Sequence, residues 1–167
     1  MNAFLDDLRW RGLLHQSTSE ELGAHLDGEC RSAYVGYDPT ADSLTIGNLV
    51  SIILLGRFQR AGHRPVALMG GGTGMIGDPS GKSNERNLLD TETLNRNVEG
   101  IRSQLAQFLA FKDVDNPAKL VNNYDWFSTF SFIEVLRGIG KHFPLGAMLG
   151  KESVKRRLST TGISYTE

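Results

Sequence analysis

Apolar positions along the chain fall into short blocks whose period switches between helix-like and strand-like spacing. Residues 2–12 set Phe4, Leu5, Leu8 and Trp10 among charges, the spacing of an amphipathic opening helix. Ser17-Thr18-Ser19-Glu20-Glu21-Leu22 reads as a cap followed by a second short helix. Ser32-Ala33-Tyr34-Val35-Gly36-Tyr37 is an aromatic and β-branched run stopped by Asp38-Pro39, hence a strand entering a turn. From Ser43 onward Leu44, Leu49, Ile52, Ile53, Leu55 and Phe58 predict a long helix that closes at Ala61-Gly62, with Gly62 as its left-handed terminator. Pro65-Val66-Ala67-Leu68-Met69 predicts a second strand, which discharges into Gly70-Gly71-Gly72-Thr73-Gly74. Residues 91–111 carry Leu94, Val98, Ile101, Leu105, Phe108 and Leu109 at helical spacing, and Leu120-Val121-Asn122-Asn123 predicts a third strand. Further helices are expected over residues 131–138 and 150–158. A strand, a crossover helix and another strand make a right-handed parallel βαβ unit, so the fold class is α/β, with ligand loops at the carboxyl ends of the strands.

Composition narrows this picture without redirecting it. The 167 residues suffice for one domain, and 40% hydrophobic with 22% charged residues is ordinary for a globular chain. A formal net charge of −1 supplies no overall basic field, so any nucleic-acid grip must be local or lie outside this segment. Cys30 is the only cysteine, which rules out an intrachain disulfide and points to the cytosol. The four histidines, His15, His25, His63 and His142, lack metal-ligand spacing, so no metal site is expected from them. No run approaches the roughly 18 apolar residues of a membrane span, and no signal-peptide pattern opens the chain. The sequence ends at Ile163-Ser164-Tyr165-Thr166-Glu167 without a capping or stop signal, from which a truncated unit is expected.

Two loops carry the unusual chemistry. After the first strand, Gly36 permits close backbone approach, Asp38 and Thr40 offer polar contacts, and Asp42 or Ser43 is placed to cap the next helix. Thr45 and Asn48 stand at i and i+3 on its first turn, with Gly47 leaving room between them, and free amides there suit a phosphate. An ordinary, well-capped strand-to-helix turn accounts for the same residues equally well. In the second loop, Gly72-x-Gly74-x-x-Gly77 spells a dinucleotide fingerprint, but Pro79 and Gly81 break the helix that fingerprint requires. Gly81-Lys82-Ser83 resembles the end of a P-loop, yet Ile76 stands where its first glycine belongs. What remains is a flexible glycine loop with one acid, Asp78, able to hold an ammonium, and two cations, Lys82 and Arg86, able to meet phosphate charge. A merely solvated charged loop is the plainer account of those cations.

Taken in order, several segments resemble the bacterial tyrosyl-tRNA synthetases. They are Tyr34-Val35-Gly36-Tyr37-Asp38-Pro39-Thr40-Ala41-Asp42-Ser43-Leu44, Phe58-Gln59-Arg60-Ala61-Gly62-His63-Arg64-Pro65, Gly74-Met75-Ile76-Gly77-Asp78-Pro79-Ser80-Gly81-Lys82-Ser83, Asn122-Asn123-Tyr124-Asp125-Trp126, Gly140-Lys141-His142-Phe143 and Gly162-Ile163-Ser164-Tyr165-Thr166-Glu167. That family's class I signature usually reads His-Ile/Leu-Gly-His. Thr45-Ile46-Gly47-Asn48 stands here instead, a form similar to that of the sister tryptophanyl-tRNA synthetases. Pro144-Leu145-Gly146-Ala147 also departs from the family, close to the dimer and connecting region.

The resemblance implies a Rossmann-like catalytic domain, a parallel sheet flanked by helices, truncated. Residues 1–31 would form a helical preface. Residues 32–167 would form the first part of the nucleotide-binding domain, with the second half, including a lysine-rich second signature, and the anticodon-binding domain absent. The implied reaction joins L-tyrosine to ATP, with Mg2+ accompanying ATP, and passes the tyrosyl group to tRNA(Tyr). By resemblance Tyr34 meets the substrate phenol, Asp78 its ammonium, and Thr73 and Asn123 line that pocket. Gly36, Asp38, Thr40, Gly47 and Ser51 border ATP, Thr45 and Asn48 lie at its phosphates, and Lys82 and Arg86 close over the leaving pyrophosphate. A cytoplasmic homodimer is implied, its interface using residues 126–142 and Tyr165. Replacement of both signature histidines leaves a second expectation, a non-catalytic paralogue acting as a binding module. Threonine and asparagine donate hydrogen bonds but carry no imidazolium charge.

Overall fold

A computed structural model describes residues 2–76, 90–150, 152–159 and 162. Helices α1 (Ala3–Trp10) and α2 (Leu22–Gly28) precede β1 (Ser32–Tyr37), α3 (Ile46–Arg60), β2 (Arg64–Met69) and α4 (Gly71–Ile76). Then come α5 (Thr91–Leu105), β3 (Lys119–Asn122), α6 (Tyr124–Phe127), α7 (Phe132–Glu134), α8 (Leu145–Leu149) and α9 (Glu152–Leu158). Between α7 and α8 the chain winds through a π-turn, Val135–Ile139, and a 3-10 turn, Gly140–His142.

The three strands form one parallel sheet in the order β1-β2-β3. Val35 and Tyr37 alternate with Tyr34 and Gly36 along β1, so the two pairs face opposite sides. The Tyr37 side packs with Ala67 and Met69 of β2, Ile52 and Leu55 of α3, and Ile101 and Leu105 of α5 into the main core. The other face carries Tyr34 beside Val66 and Gly36 beside Leu68 in register, and Tyr34 there is 71% exposed. A second cluster, Leu5, Leu8, Leu26 and Phe58, fastens α1 and α2 onto α3. Asp7 adds charge to that seam, pairing with Arg57 of α3 at 2.6 Å and with Arg11 at 2.9 Å.

Element types follow the sequence pattern closely, and the differences have local causes. Helix α1 is capped by Asn2, whose side chain accepts from the Leu5 amide, and it ends two residues short of Gly12, which has a φ of +69°. Helix α3 starts at Ile46 rather than near Ser43, because Thr45, not Asp42 or Ser43, occupies the cap. Gly62, with a φ of +91°, follows its C-cap Ala61. Helix α5 stops at Leu105 instead of residue 111, its chain turning at Ala106 so that Leu109 reaches the core. The glycine stretch expected to be a flexible loop holds a six-residue helix, α4, whose N-terminal amides are met by side chains from β3 and the residue after it. Helices α6 and α8 were not foreseen from apolar spacing; they are four and five residues long, too short for a period to register. Among the described residues no helix is long and apolar enough to cross a membrane.

His63, at the turn into β2, is buried and stacked on Phe58 with ring centroids 4.6 Å apart. Its Nδ1 accepts the Arg31 amide at 3.3 Å, so the neutral ring carries its proton on Nε2. Burial first, and then the Arg31 guanidinium, hold its pKa below the ordinary histidine value. The unfolded chain therefore binds the extra proton more readily than the folded one. Stability from this residue is complete above about pH 6.5 and falls as pH drops below that value. Urea midpoints should decline between pH 7.5 and 5.5 in the parent and much less in His63→Gln; equal slopes would refute this assignment.

Candidate functional site

The carboxyl ends of β1 and β2 deliver two loops to one place. Gly70 donates its amide to the Tyr37 carbonyl at 2.9 Å, tying the start of the second loop to the end of the first strand. A Cβ added at Gly70 would stand 2.8 Å from Thr73 Oγ1 and 2.9 Å from Asp38 Oδ1, so these two polar side chains converge over the glycine and would have to shift to admit a side chain there. β3 reaches the same point. Asn123 Oδ1 accepts the Gly72 amide at 2.6 Å, and its Nδ2 donates to Thr73 Oγ1 at 3.2 Å. Asn122 Oδ1 accepts from Gly71 and from Tyr124, each at 3.1 Å. A Cβ at Gly71 would overlap the Asn122 carboxamide, which explains a glycine at the start of a helix where its low propensity is a cost. The two asparagines thus supply the acceptors that the opening turn of α4 lacks.

The other half of the site is the N-terminus of α3. Asn48 Oδ1 accepts both the Thr45 amide at 3.1 Å and the Thr45 hydroxyl at 3.0 Å. Only a carboxamide oxygen can accept that amide, so the orientation of the Asn48 side chain is set and its two Nδ2 hydrogens are the donors that remain. The amides of Ile46 and Gly47, in the first turn, have no acceptor within the helix. Ser51 donates its hydroxyl to the Asn48 carbonyl at 2.7 Å and lies 3.5 Å from the Tyr37 hydroxyl. Burial raises the pKa of that phenol, keeping Tyr37 neutral.

The structure therefore brings Asp38, Thr73 and Asn123 together and groups Thr45, Gly47, Asn48 and Ser51 on the first turns of α3. Gly36 and Thr40 are exposed near them, and nothing lies within 4 Å of a Cβ built on Gly36. Asp78, Lys82, Arg86 and Tyr165 lie outside the described residues. Asn122, which the sequence reading places in the third strand and in a family-like segment but not among the site residues, joins the site only through the fold, where it meets the Gly71 amide. A cavity of about 330 Å³ lies elsewhere, between α1, α2, α3 and β1, lined by Leu5, Leu8, Leu26, Leu54 and Phe58 and meeting the expected site only at Tyr34. Its wall is mainly apolar, with His25, Arg31 and Ser32 among the lining residues.

Residues 28–167 match the model of the class I tRNA synthetases (W and Y). The chain belongs to this family. The family covers both tryptophan and tyrosine members. Among curated relatives, a tyrosine–tRNA ligase of Rhodopirellula baltica is 55% identical over 168 residues, covering 99% of this chain and 38% of the relative. One of Porphyromonas gingivalis is 56% identical over 170 residues, covering 98% of this chain and 39% of the relative. A crystal structure of a C-terminally truncated mitochondrial tyrosyl-tRNA synthetase of Aspergillus nidulans superposes with a TM-score of 0.83 at 27% identity, over the whole of this chain and 50% of that one. The chain thus spans about 39% of the length of the curated synthetases it matches.

Proposed function

We propose that this chain forms the front half of the activation site of a tyrosine–tRNA ligase. The observation that carries the reading is the meeting of Asp38, Thr73 and Asn123 at Gly70, at the end of the strand whose Tyr37 hydroxyl lies 3.5 Å from Ser51 of α3. A ligand bound there would lie across the carboxyl ends of adjacent parallel strands, where α/β sheets bind ligands. Identity of 55% to a tyrosine–tRNA ligase supports tyrosine over tryptophan.

In this reading a tyrosine carboxylate oxygen attacks the α-phosphorus of ATP in line. The new bond gives tyrosyl-adenylate, the bond to the β-phosphate breaks, and pyrophosphate leaves; a ribose hydroxyl of tRNA(Tyr) then takes the tyrosyl group and AMP is released. No side-chain nucleophile is needed, so the protein contributes positioning and charge stabilisation. Tyr34 would hydrogen-bond the phenol, Asp78 would pair with the ammonium, and Thr73, held by Asn123, would line that pocket. Gly36, Asp38, Thr40, Gly47 and Ser51 would border the nucleotide, with Asn48 Nδ2 and the α3 amides on its phosphates and Lys82 and Arg86 on the departing pyrophosphate. Mg2+ would arrive with ATP. Among the described residues no group of three or more His, Cys, Asp or Glu side chains forms a metal cluster. Replacing Asp78 with alanine should weaken tyrosine binding far more than ATP binding, because it removes the ammonium's counter-charge. Calorimetry showing equal losses would refute that role.

Assembly as a cytosolic homodimer completes the proposal. Phe132, Ile133, Phe143 and Leu145 are each at least 60% exposed in the segment after β3, an apolar surface that soluble monomers rarely leave bare. Ile133→Asp should convert a dimer to monomers in sedimentation velocity; an unchanged sedimentation coefficient would remove this surface from the interface.

The deciding experiment places this chain in the R. baltica ligase in exchange for its aligned residues and measures tyrosine-dependent pyrophosphate exchange. Exchange supports the ligase reading. A folded chimera without exchange would favour the non-catalytic paralogue instead. One feature of the site speaks for that second reading: the Thr45 hydroxyl is committed to Asn48 and neither residue carries charge.

A further inference from the structure

We infer that Asn97, Gly100 and Gln104 of α5 are positioning residues that set the backbone of residues 39–44 for nucleotide binding. This rests on the ATP site proposed above. The three residues stand at i, i+3 and i+7, one face of the helix, adjacent to the face that sends Ile101 and Leu105 into the core. Each grips a different point of the loop. Asn97, buried at 5% exposure, donates from Nδ2 to the Pro39 carbonyl at 3.0 Å. Gln104 Oε1 accepts the Leu44 amide at 2.7 Å. Between them Gly100 lets the Asp42 carbonyl rest against the helix, in space that a Cβ would fill.

The grips bracket the residues expected at the nucleotide. Asp38 precedes Pro39, Thr40 follows it, and Thr45 follows Leu44. Within the loop the backbone supplies one short bond, Thr40 amide to Asp38 carbonyl at 2.9 Å, and residues 40–43 are exposed. Contact with α5 therefore defines where the loop sits. A glycine in the middle of a 15-residue helix costs about 1 kcal/mol of helix propensity relative to alanine. Close approach of the loop is the return for that cost, and Asn97 spends a core-facing position on one loop carbonyl.

Two measurements test the inference with Gly100→Ala, Gln104→Leu and Gln104→Glu, the last keeping an acceptor for Leu44. Amide hydrogen exchange on this chain should quicken at residues 40–45 in the first two variants and return toward the parent in Gln104→Glu. In the R. baltica chimera the first two should raise the KM for ATP about 10-fold or more, with the KM for tyrosine within about twofold and Gln104→Glu near the parent. Because alanine is the better helix former, a loss in Gly100→Ala cannot be charged to a weaker α5. Unchanged exchange over residues 40–45 overturns the grip. Quickened exchange with an unmoved ATP KM, or with both KM values rising together, overturns its role in nucleotide positioning. A parent chimera without activity would sink the ligase reading, while hydrogen exchange would still decide whether α5 holds the loop.

Discussion

Asn123→Ala is expected to destabilise the chain by about 1–3 kcal/mol, the cost of leaving a buried donor without its acceptor. The donor is the Gly72 amide, which reaches Asn123 Oδ1 at 2.6 Å inside the protein. Water has little access, since Gly71 and Gly72 are buried and Asn123 is 6% exposed. The substitution also removes the 3.2 Å bond to Thr73 Oγ1, leaving that hydroxyl held only by its donation to the Gly70 carbonyl at 3.1 Å. Tyrosine affinity should therefore fall more than ATP affinity. Asn123→Asp separates the two effects. Its carboxylate still accepts from Gly72, and the Thr73 hydroxyl can turn to donate to it, so most of the stability should return. Urea unfolding of the chain reads the first effect and tyrosine titration of the chimera the second. An unchanged urea midpoint in Asn123→Ala would show that α4 does not depend on this cap.

The second large effect belongs to the core. Ile101 has no exposed surface and packs among Leu105, Leu55, Ala67 and Met69, where α5 meets the sheet and α3. Truncation to alanine should cost about 2–5 kcal/mol, from lost transfer energy and the cavity left behind. Against a typical total of about 5–15 kcal/mol, that is a large share of the stability. The denaturant midpoint should move with little change in slope, because the surface exposed on unfolding is nearly the same. A loss below about 1 kcal/mol would mean that α5 does not seal this face as the structure has it. Because Asn97, Gly100 and Gln104 sit on the neighbouring face of the same helix, Ile101→Ala should also loosen residues 39–44, a coupling that hydrogen exchange would report.

The strands are legible as short apolar or aromatic runs ended by turn residues, and α3 and α5 because each is long enough for a period of 3.6 residues to show. Gly62 was legible because a left-handed terminator favours glycine. Helix α4 was not, for its glycines have low helix propensity, and it stands because Asn122 and Asn123, some 50 residues away, meet its first amides. The cap of α3 was misassigned to Asp42 or Ser43 for a similar reason. Any of several polar residues could serve locally, and the pull of α5 on Pro39, Asp42 and Leu44 carries the chain onward until Thr45 takes the position.

The amino-acid sequence alone determined the α/β class, the parallel pairing implied by βαβ wiring, and the loops at strand ends that carry polar and glycine residues. Its ordered motifs also pointed to the synthetase family that the comparison then matched. These depend on local spacing and on residue types whose conformational limits hold in any context. Only the tertiary structure decided that Asp38, Thr73 and Asn123 meet over Gly70, and that Asn48 spends its carboxamide oxygen on Thr45. It alone showed that one face of α5 holds the backbone at Pro39, Asp42 and Leu44. Those contacts join residues as much as 60 positions apart, as Leu44 and Gln104 are, and no local period records such a pairing. Which of several competent partners a polar side chain takes is settled by packing, once the core has placed the helices.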